Sequence, residues 1–144
     1  MDHYVKNLEI RWSDLDPNFH LRHSVYYDFG AYCRISFLDQ FGLTYSIMQK
    51  LHFGPVLFRE EAVFRKEARM SDRLTIDIQL QKSRRDYSRW TIKHHITKNE
   101  KILSAVLTVD GAWIDTIERK LATPPHEVGD VFSAMPRSAD FEWI

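Results

Sequence analysis

One cysteine, no long apolar run and no excess of either charge set the first bounds on this 144-residue chain. Cys33 alone can form neither an internal disulfide nor a multi-cysteine metal site, which suits a reducing compartment. Lys plus Arg number 20 and Asp plus Glu number 20, so no global field recruits nucleic acid or an anionic membrane, and an anionic ligand must be met locally. No segment approaches the roughly 18 uninterrupted apolar residues of a membrane span, and the opening MDHYVKNLEI holds no signal core. No repeat, low-complexity tract or internal linker breaks the chain. The expectation is one unprocessed cytoplasmic domain over residues 1–144, with no nucleic-acid and no membrane partner.

What is present is a strongly aromatic chain, with four Trp and nine Phe, and such a chain folds. Leu8, Ile10 and Trp12 alternate with Glu9, Arg11 and Ser13, predicting a strand that ends near Asp14. From His23 to Phe41 there is no Pro, and Val25, Phe29, Tyr32, Cys33, Ser36 and Phe37 recur at helical spacing. Gly30 in the middle of that helix costs about 1 kcal/mol relative to Ala, which predicts a close approach to its backbone, and Gly42 is a stop signal. Thr44 to Leu51 reads as a short helix or turn, and Val56 to about Ala68 as extended chain. Leu74, Ile76, Ile78 and Leu80 give a clean period-two strand, repeated by Trp90, Ile92, His94 and Ile96, and residues 97–100 read as a hairpin turn. Ile102 to about Ile114 is apolar on both faces, as in a central strand. Residues 120–144, richer in Pro and Ser, are expected to form a C-terminal extension of a short helix and a tail. The order is strand, long helix, four strands: an α+β domain with antiparallel pairing, whose spare sheet face and edges favour oligomerisation.

The densest reactive groups lie between the first strand and the long helix: Asp14, Asp16, His20 and His23. A helix N-terminus offers unpaired N–H groups and partial positive charge, which stabilise a developing oxyanion. A nearby carboxylate can attack a carbonyl or deprotonate water. Thioesters suit such a site, because their carbonyl is electrophilic and a thiolate leaves without a strong acid. By residue chemistry alone the Asp16-Pro17 pair reads first as a turn or cap, and Asp14 as structural. His20 and His23, without Cys or a His-Glu-x-x-His pattern, make a poor metal set, and none is expected.

The stretch RWSDLDPNFHLRHSVYYDFGAYCRISFL, Arg11 to Leu38, resembles the opening motif of the 4-hydroxybenzoyl-CoA thioesterase family, with Trp12, Asp14, Asp16, His20, Tyr26, Phe29 and Arg34 in matching places. The resemblance extends more loosely over about residues 5 to 120. It implies a single hotdog domain, an antiparallel sheet of five or slightly more strands wrapped around one long central helix. It further implies hydrolysis of an acyl-CoA to free acid and CoA, needing no cofactor, by a homodimer or dimer of dimers with sites between subunits. Carried over by position, Asp16 is the nucleophile or general base and the backbone N–H of His23 the oxyanion donor, with His20 beside them. Phe19, where the family often has Gly, and Tyr26 fall at the substrate pocket; Arg22 stands where the family often has Asn. Arg84 and Arg85, with Lys82 and Arg89 nearby, match a basic stretch that meets the nucleotide end of CoA, or form a solvated turn. Three other functions share this frame: a non-catalytic acyl-CoA-binding module, an acyl-carrier-protein thioesterase, and a hydroxyacyl thioester dehydratase. His94 and His95 point to opposite faces of a strand and are not expected to act together.

Overall fold

Period-two patterning builds most of the sheet. In the computed structural model, which describes residues 3–144, the elements are β1 (Val5–Leu8), α1 (Val25–Gln40), α2 (Tyr45–Leu51), β2 (Phe53–Phe64), β3 (Leu74–Asp77), β4 (Gln79–Ser83), β5 (Arg89–Lys98), β6 (Ile102–Asp115), β7 (Lys120–Leu121), α3 (His126–Phe132) and β8 (Arg137–Trp143). Met1 and Asp2, the start of the expected 1–144 domain, lie outside the described residues. Leu74, Ile76, Ile78 and Leu80 all point inward and are buried, as are Trp90, Ile92, His94 and Ile96 on β5. The alternation therefore sorts one apolar face onto the core.

β3 and β4 both pair with β5, so they form one strand interrupted at Ile78. The sheet then runs β1, β3/β4, β5, β6, β2, with antiparallel pairing throughout that series. β6 lies between β5 and β2, the central place its two apolar faces predicted. α1 crosses the inner face, burying Val25, Tyr26, Cys33, Phe37 and Leu38. A curled antiparallel sheet around one long helix is the hotdog arrangement.

Two features of α1 fix its place. An added Cβ at Gly30 would lie 3.1 Å from the Leu107 side chain of β6 and 3.1 Å from Arg34 Nη1, which is the close approach that the mid-helix glycine predicted. At the other end Gly42 adopts φ +94°, and the Leu43 N–H donates to Leu38 O at 2.9 Å. A glycine just past a helix end closes the last carbonyls in this way at no Cβ penalty.

Two expectations are corrected. The first strand stops at Leu8, and Trp12–Asp14 form one 3-10 turn. The cause is Asp14, whose carboxylate accepts from the Arg11 backbone N–H at 2.9 Å while its own N–H donates to Arg11 O at 2.9 Å. The tail is not merely a helix and loose end, because β8 adds to β4 as a parallel strand. It is held by contacts of Trp143 with Tyr87 and Arg85 of the β4–β5 turn. The sheet so reaches eight strands, the short β7 and β8 extending the expected set.

No helix among the described residues is long and apolar enough to cross a membrane. β2 has a different exposure: among the described residues it pairs only with β6, and Leu57, Phe58, Val63 and Phe64 stay open. A twelve-residue edge of this kind is a template for another strand.

Gly111 on β6 lies under the Trp90 ring, where an added Cβ would come within 2.3–2.8 Å of three ring carbons. Neither the rigid indole nor the central strand can yield cheaply. Gly111→Ala should therefore destabilise the fold by about 1–3 kcal/mol, seen as a lower urea midpoint with an unchanged m-value.

Candidate active site

The loop ahead of α1 is clasped from below by Asp14. Its side chain is 1% exposed and accepts from Arg11 Nη2 at 2.9 Å and Nε at 3.2 Å. Those hydrogen bonds hold the carboxyl below the usual carboxylate range, against the opposing effect of burial. The Asp14 carbonyl also accepts from the Arg22 N–H at 2.7 Å, tying the two ends of the loop together. Asp14 is consumed in this clasp and offers no free oxygen to a substrate.

Asp16 is both turn former and free carboxylate. Its N–H donates to His20 O at 2.8 Å, and the Phe19 N–H donates to its carbonyl at 2.9 Å. Oδ1 accepts from the N–H groups of Asn18 and His20 at 2.9 and 3.1 Å. Oδ2 receives no donor among the described residues. One oxygen thus fixes the carboxylate's direction, and the other is left for chemistry. The Asp16-Pro17 pair is thus a turn former, as the residues alone suggest, and the same turn leaves Oδ2 uncommitted.

The loop closes through Phe19 at φ +63°, a left-handed conformation that costs a side-chain-bearing residue about 1–2 kcal/mol. That is the physical reason a glycine suits this position. The Phe19 ring recovers little by packing: it is 63% exposed, tilted against an equally open Trp12 at 6.4 Å between centroids.

At the start of α1 the usual cap is diverted. Arg22 Nη1 donates to Ser24 Oγ at 2.6 Å, and the Ser24 side chain caps no helix amide. The His23 N–H has no acceptor among the described residues. An unpaired amide at the positive end of a sixteen-residue helix can accommodate negative charge. The His23 side chain is exposed and His20 half-buried.

Asp16, His20, His23 and Tyr26 line one pocket of about 250 Å³ together with Phe64, Arg65, Lys66 and Glu67. Tyr26 is buried, packs edge-on to Phe64 at 5.0 Å, and has its phenol pushed up by burial. The contribution of residues 64–67 was not foreseen. The signal was there in Arg65, Lys66 and Glu67, three consecutive charges at the end of the extended segment.

Arg84 and Arg85 are not brought to this pocket within one chain. Phe64 and Ile96 both pair with Ala105 of β6, whereas Arg89, next to the β4–β5 turn, pairs with Ala112. Seven residues at about 3.3 Å each put the turn roughly 23 Å along the sheet from the Asp16 end. Arg84 is exposed, and the Arg85 guanidinium stacks on Trp143 at 5.0 Å. His94 and His95 do face opposite ways. His94 is fully buried, while His95 Nδ1 meets the Asp77 carboxylate on the outer face at 3.0 Å.

The family model described as the thioesterase-like superfamily matches residues 10–132. No curated protein is similar enough in sequence to match. Among solved structures, a 1,4-dihydroxy-2-naphthoyl-CoA thioesterase from Synechocystis superposes with TM-score 0.81 at 17% identity, covering 92% of this chain and 96% of that one. A hypothetical protein from Staphylococcus aureus in complex with CoA gives 0.84 at 16% identity over 96% and 89%. A thioesterase from Thermus thermophilus, complexed with coenzyme A and Zn, gives 0.75 at 19% identity over 90% and 91%. At these identities the likeness is one of fold.

Phe19→Gly should raise stability, by about 1 kcal/mol after the entropic cost of glycine is set against the relieved strain. Chemical denaturation measures it, and a lower midpoint would mean that the ring's contacts outweigh the backbone.

Proposed function

The chain belongs to the thioesterase-like superfamily, and we propose that it hydrolyses an acyl-CoA thioester to free carboxylic acid and CoA. The observation that carries this reading is the split use of the Asp16 carboxylate, with Oδ1 held by two loop amides and Oδ2 open to the pocket at the head of α1. Asp16 Oδ2 takes a proton from water as hydroxide adds to the thioester carbon, or adds to that carbon itself. In both routes the carbonyl oxygen gains the charge, and the His23 N–H stabilises it. Collapse expels the CoA thiolate, which takes up a proton. In the direct route water then cleaves the mixed anhydride and restores Asp16. His20, on the pocket wall, is positioned to exchange that proton with solvent.

The working unit is a pair of subunits joined along β2. Its open edge, twelve residues long with four exposed apolar side chains, supports this pairing. Antiparallel pairing about the strand's midpoint brings Phe64 of one subunit beside Phe53 of the partner subunit. Each Asp16 pocket then adjoins the partner's other sheet end, where the partner's β4–β5 turn supplies the basic side chains for the CoA phosphates. This arrangement removes the separation found within one chain. The same pair can stack into a dimer of dimers through the remaining sheet face.

Asp16→Asn should lower turnover at least about 100-fold, the scale of lost acid–base catalysis, with the urea midpoint little changed. Thiol release is measured over short, medium, long and aromatic acyl-CoAs. Retained turnover in the variant would remove Asp16 from the chemistry, and CoA binding without thiol release from any wild-type reaction would make the protein a binding module.

Arg84→Ala should raise KM for acyl-CoA more than for a truncated thioester lacking the nucleotide. Arg84 is the cleaner choice because Arg85 also supports Trp143. Equal KM changes on both substrates would return Arg84 to the solvent.

A further inference from the structure

Below the second half of α1 lies another cavity, of about 210 Å³, that the chemistry above does not use. Its wall is apolar, formed chiefly by Leu38, Leu57, Ile78, Trp90, Trp113 and Phe132, with one charged member, Arg34. Arg34 is 12% exposed, and its bonding is incomplete. Nη1 lies 3.1 Å from His94 Nε2. His94 is neutral, since burial, with the Arg34 charge, pushes it down to about 3. Its Nδ1–H donates to Asp77 O at 2.7 Å, which leaves Nε2 as the acceptor from Arg34. The nearest carboxylate, Glu60, stands 4.0 Å from Nη2, beyond hydrogen-bond distance. A guanidinium carries five N–H donors, so this half-buried cation lacks a bonded counter-charge, a state that costs stability.

The indole N–H groups of Trp90 and Trp113 have no acceptor among the described residues, but they are sealed from the cavity and offer nothing to a ligand in it. The polar group that the wall presents is the Arg34 guanidinium, which is both donor and cation. A ligand that completes it must bring acceptors and should bring negative charge. A carboxylate does both and matches a guanidinium in bidentate fashion, whereas a hydroxyl or keto oxygen supplies no charge. A cavity of about 150 Å³ takes benzene, so this one has room for a few atoms more, the size of a six-carbon diacid chain.

We propose that this cavity holds the acyl group of the substrate and that Arg34 receives a carboxylate at its far end, making half-thioesters of medium-length dicarboxylic acids the preferred class. The inference rests on the thioesterase reading and deepens it. Pro55 and Leu57 of β2 also border the cavity, and pairing along β2 sets that border beside the Asp16 pocket of the partner subunit. The acyl group thus enters from the partner's reaction centre.

The test uses thioethers that no thioesterase can cleave: S-(5-carboxypentyl)-CoA, S-(6-hydroxyhexyl)-CoA and S-hexyl-CoA, titrated calorimetrically into the wild-type protein. Quenching of Trp90 and Trp113 fluorescence reports occupancy of this cavity. The carboxylate ligand should bind about 10- to 100-fold more tightly than the hexyl one, the scale of a charge-assisted contact. Arg34→Met should bring the two within about threefold, and Arg34→Lys should restore part of the difference. Equal binding of the carboxylate and hexyl ligands, equal binding of the hydroxyl ligand, or a preference that survives Arg34→Met would each overturn the proposal. Where Arg34→Met does not fold, Glu60→Gln decides: losing the competing carboxylate should tighten the carboxylate ligand relative to the hexyl one, and an unchanged ratio overturns it. Hydrolysis is scored separately with adipyl-CoA and hexanoyl-CoA, so a carboxylate preference in binding without thiol release would sink the hydrolase reading alone.

Discussion

The contact between α1 and β6 at Gly30 sets the position of everything functional in this chain. With no Cβ there, the helix settles onto Leu107 and beside the buried His94. Its direction along the sheet is then fixed, N-terminus toward the Ala105 end and C-terminal half toward the Ala112 end. The first end receives the Asp16 loop, because the loop immediately precedes the helix. The second receives the cavity, because Arg34, Ile35 and Leu38 arch over the strands there while α3 closes the side. One glycine thus places the His23 N–H and the Arg34-lined cavity toward opposite ends of the same rod.

Loop geometry at the helix head shows how local strain and function are linked. Asp16 could be an ordinary turn residue, and with Oδ1 it is one. Holding that turn forces φ +63° on Phe19, and strain of this kind persists where the surroundings over-determine the backbone. The surroundings are visible: Leu21 donates to Ala68 O at 2.7 Å and Arg22 to Asp14 O at 2.7 Å, fastening the loop on both sides. Arg22 adds a second effect by occupying the Ser24 hydroxyl, so the helix start keeps an amide free. The two departures from the family pattern thus have separate consequences, one a backbone cost and the other a withheld cap.

The sheet and the long helix were legible because burial on one face writes a period into the sequence, two for Leu74 to Leu80 and near 3.6 for Val25 to Phe37. The hotdog form and the Asp16 assignment came from the resemblance of Arg11 to Leu38, since the residues alone favoured a turn. Where patterning failed, a specific interaction had overridden it. Leu8, Ile10 and Trp12 alternate as a strand does, yet the Asp14 carboxylate draws the Arg11 backbone into a turn. β8 was missed because its partner is distant in sequence and parallel, and its stability comes from aromatic and Arg–aromatic stacking around Trp143. No local period encodes that.

Distance along β6 finally decides what kind of machine the fold can be. A single subunit holds Asp16 and the His23 N–H at one end and the basic turn at the other, about 23 Å apart by strand rise. Rotating a second copy by two-fold symmetry about the middle of β2 superimposes opposite ends, which is the isologous geometry that an unpaired central edge permits. In the pairing proposed above, the apolar side chains left open on β2 lie between the Asp16 pocket of one copy and the Arg34-lined cavity of the other. Catalytic and recognition groups need not sit on one chain when the edge strand carries the symmetry that joins them.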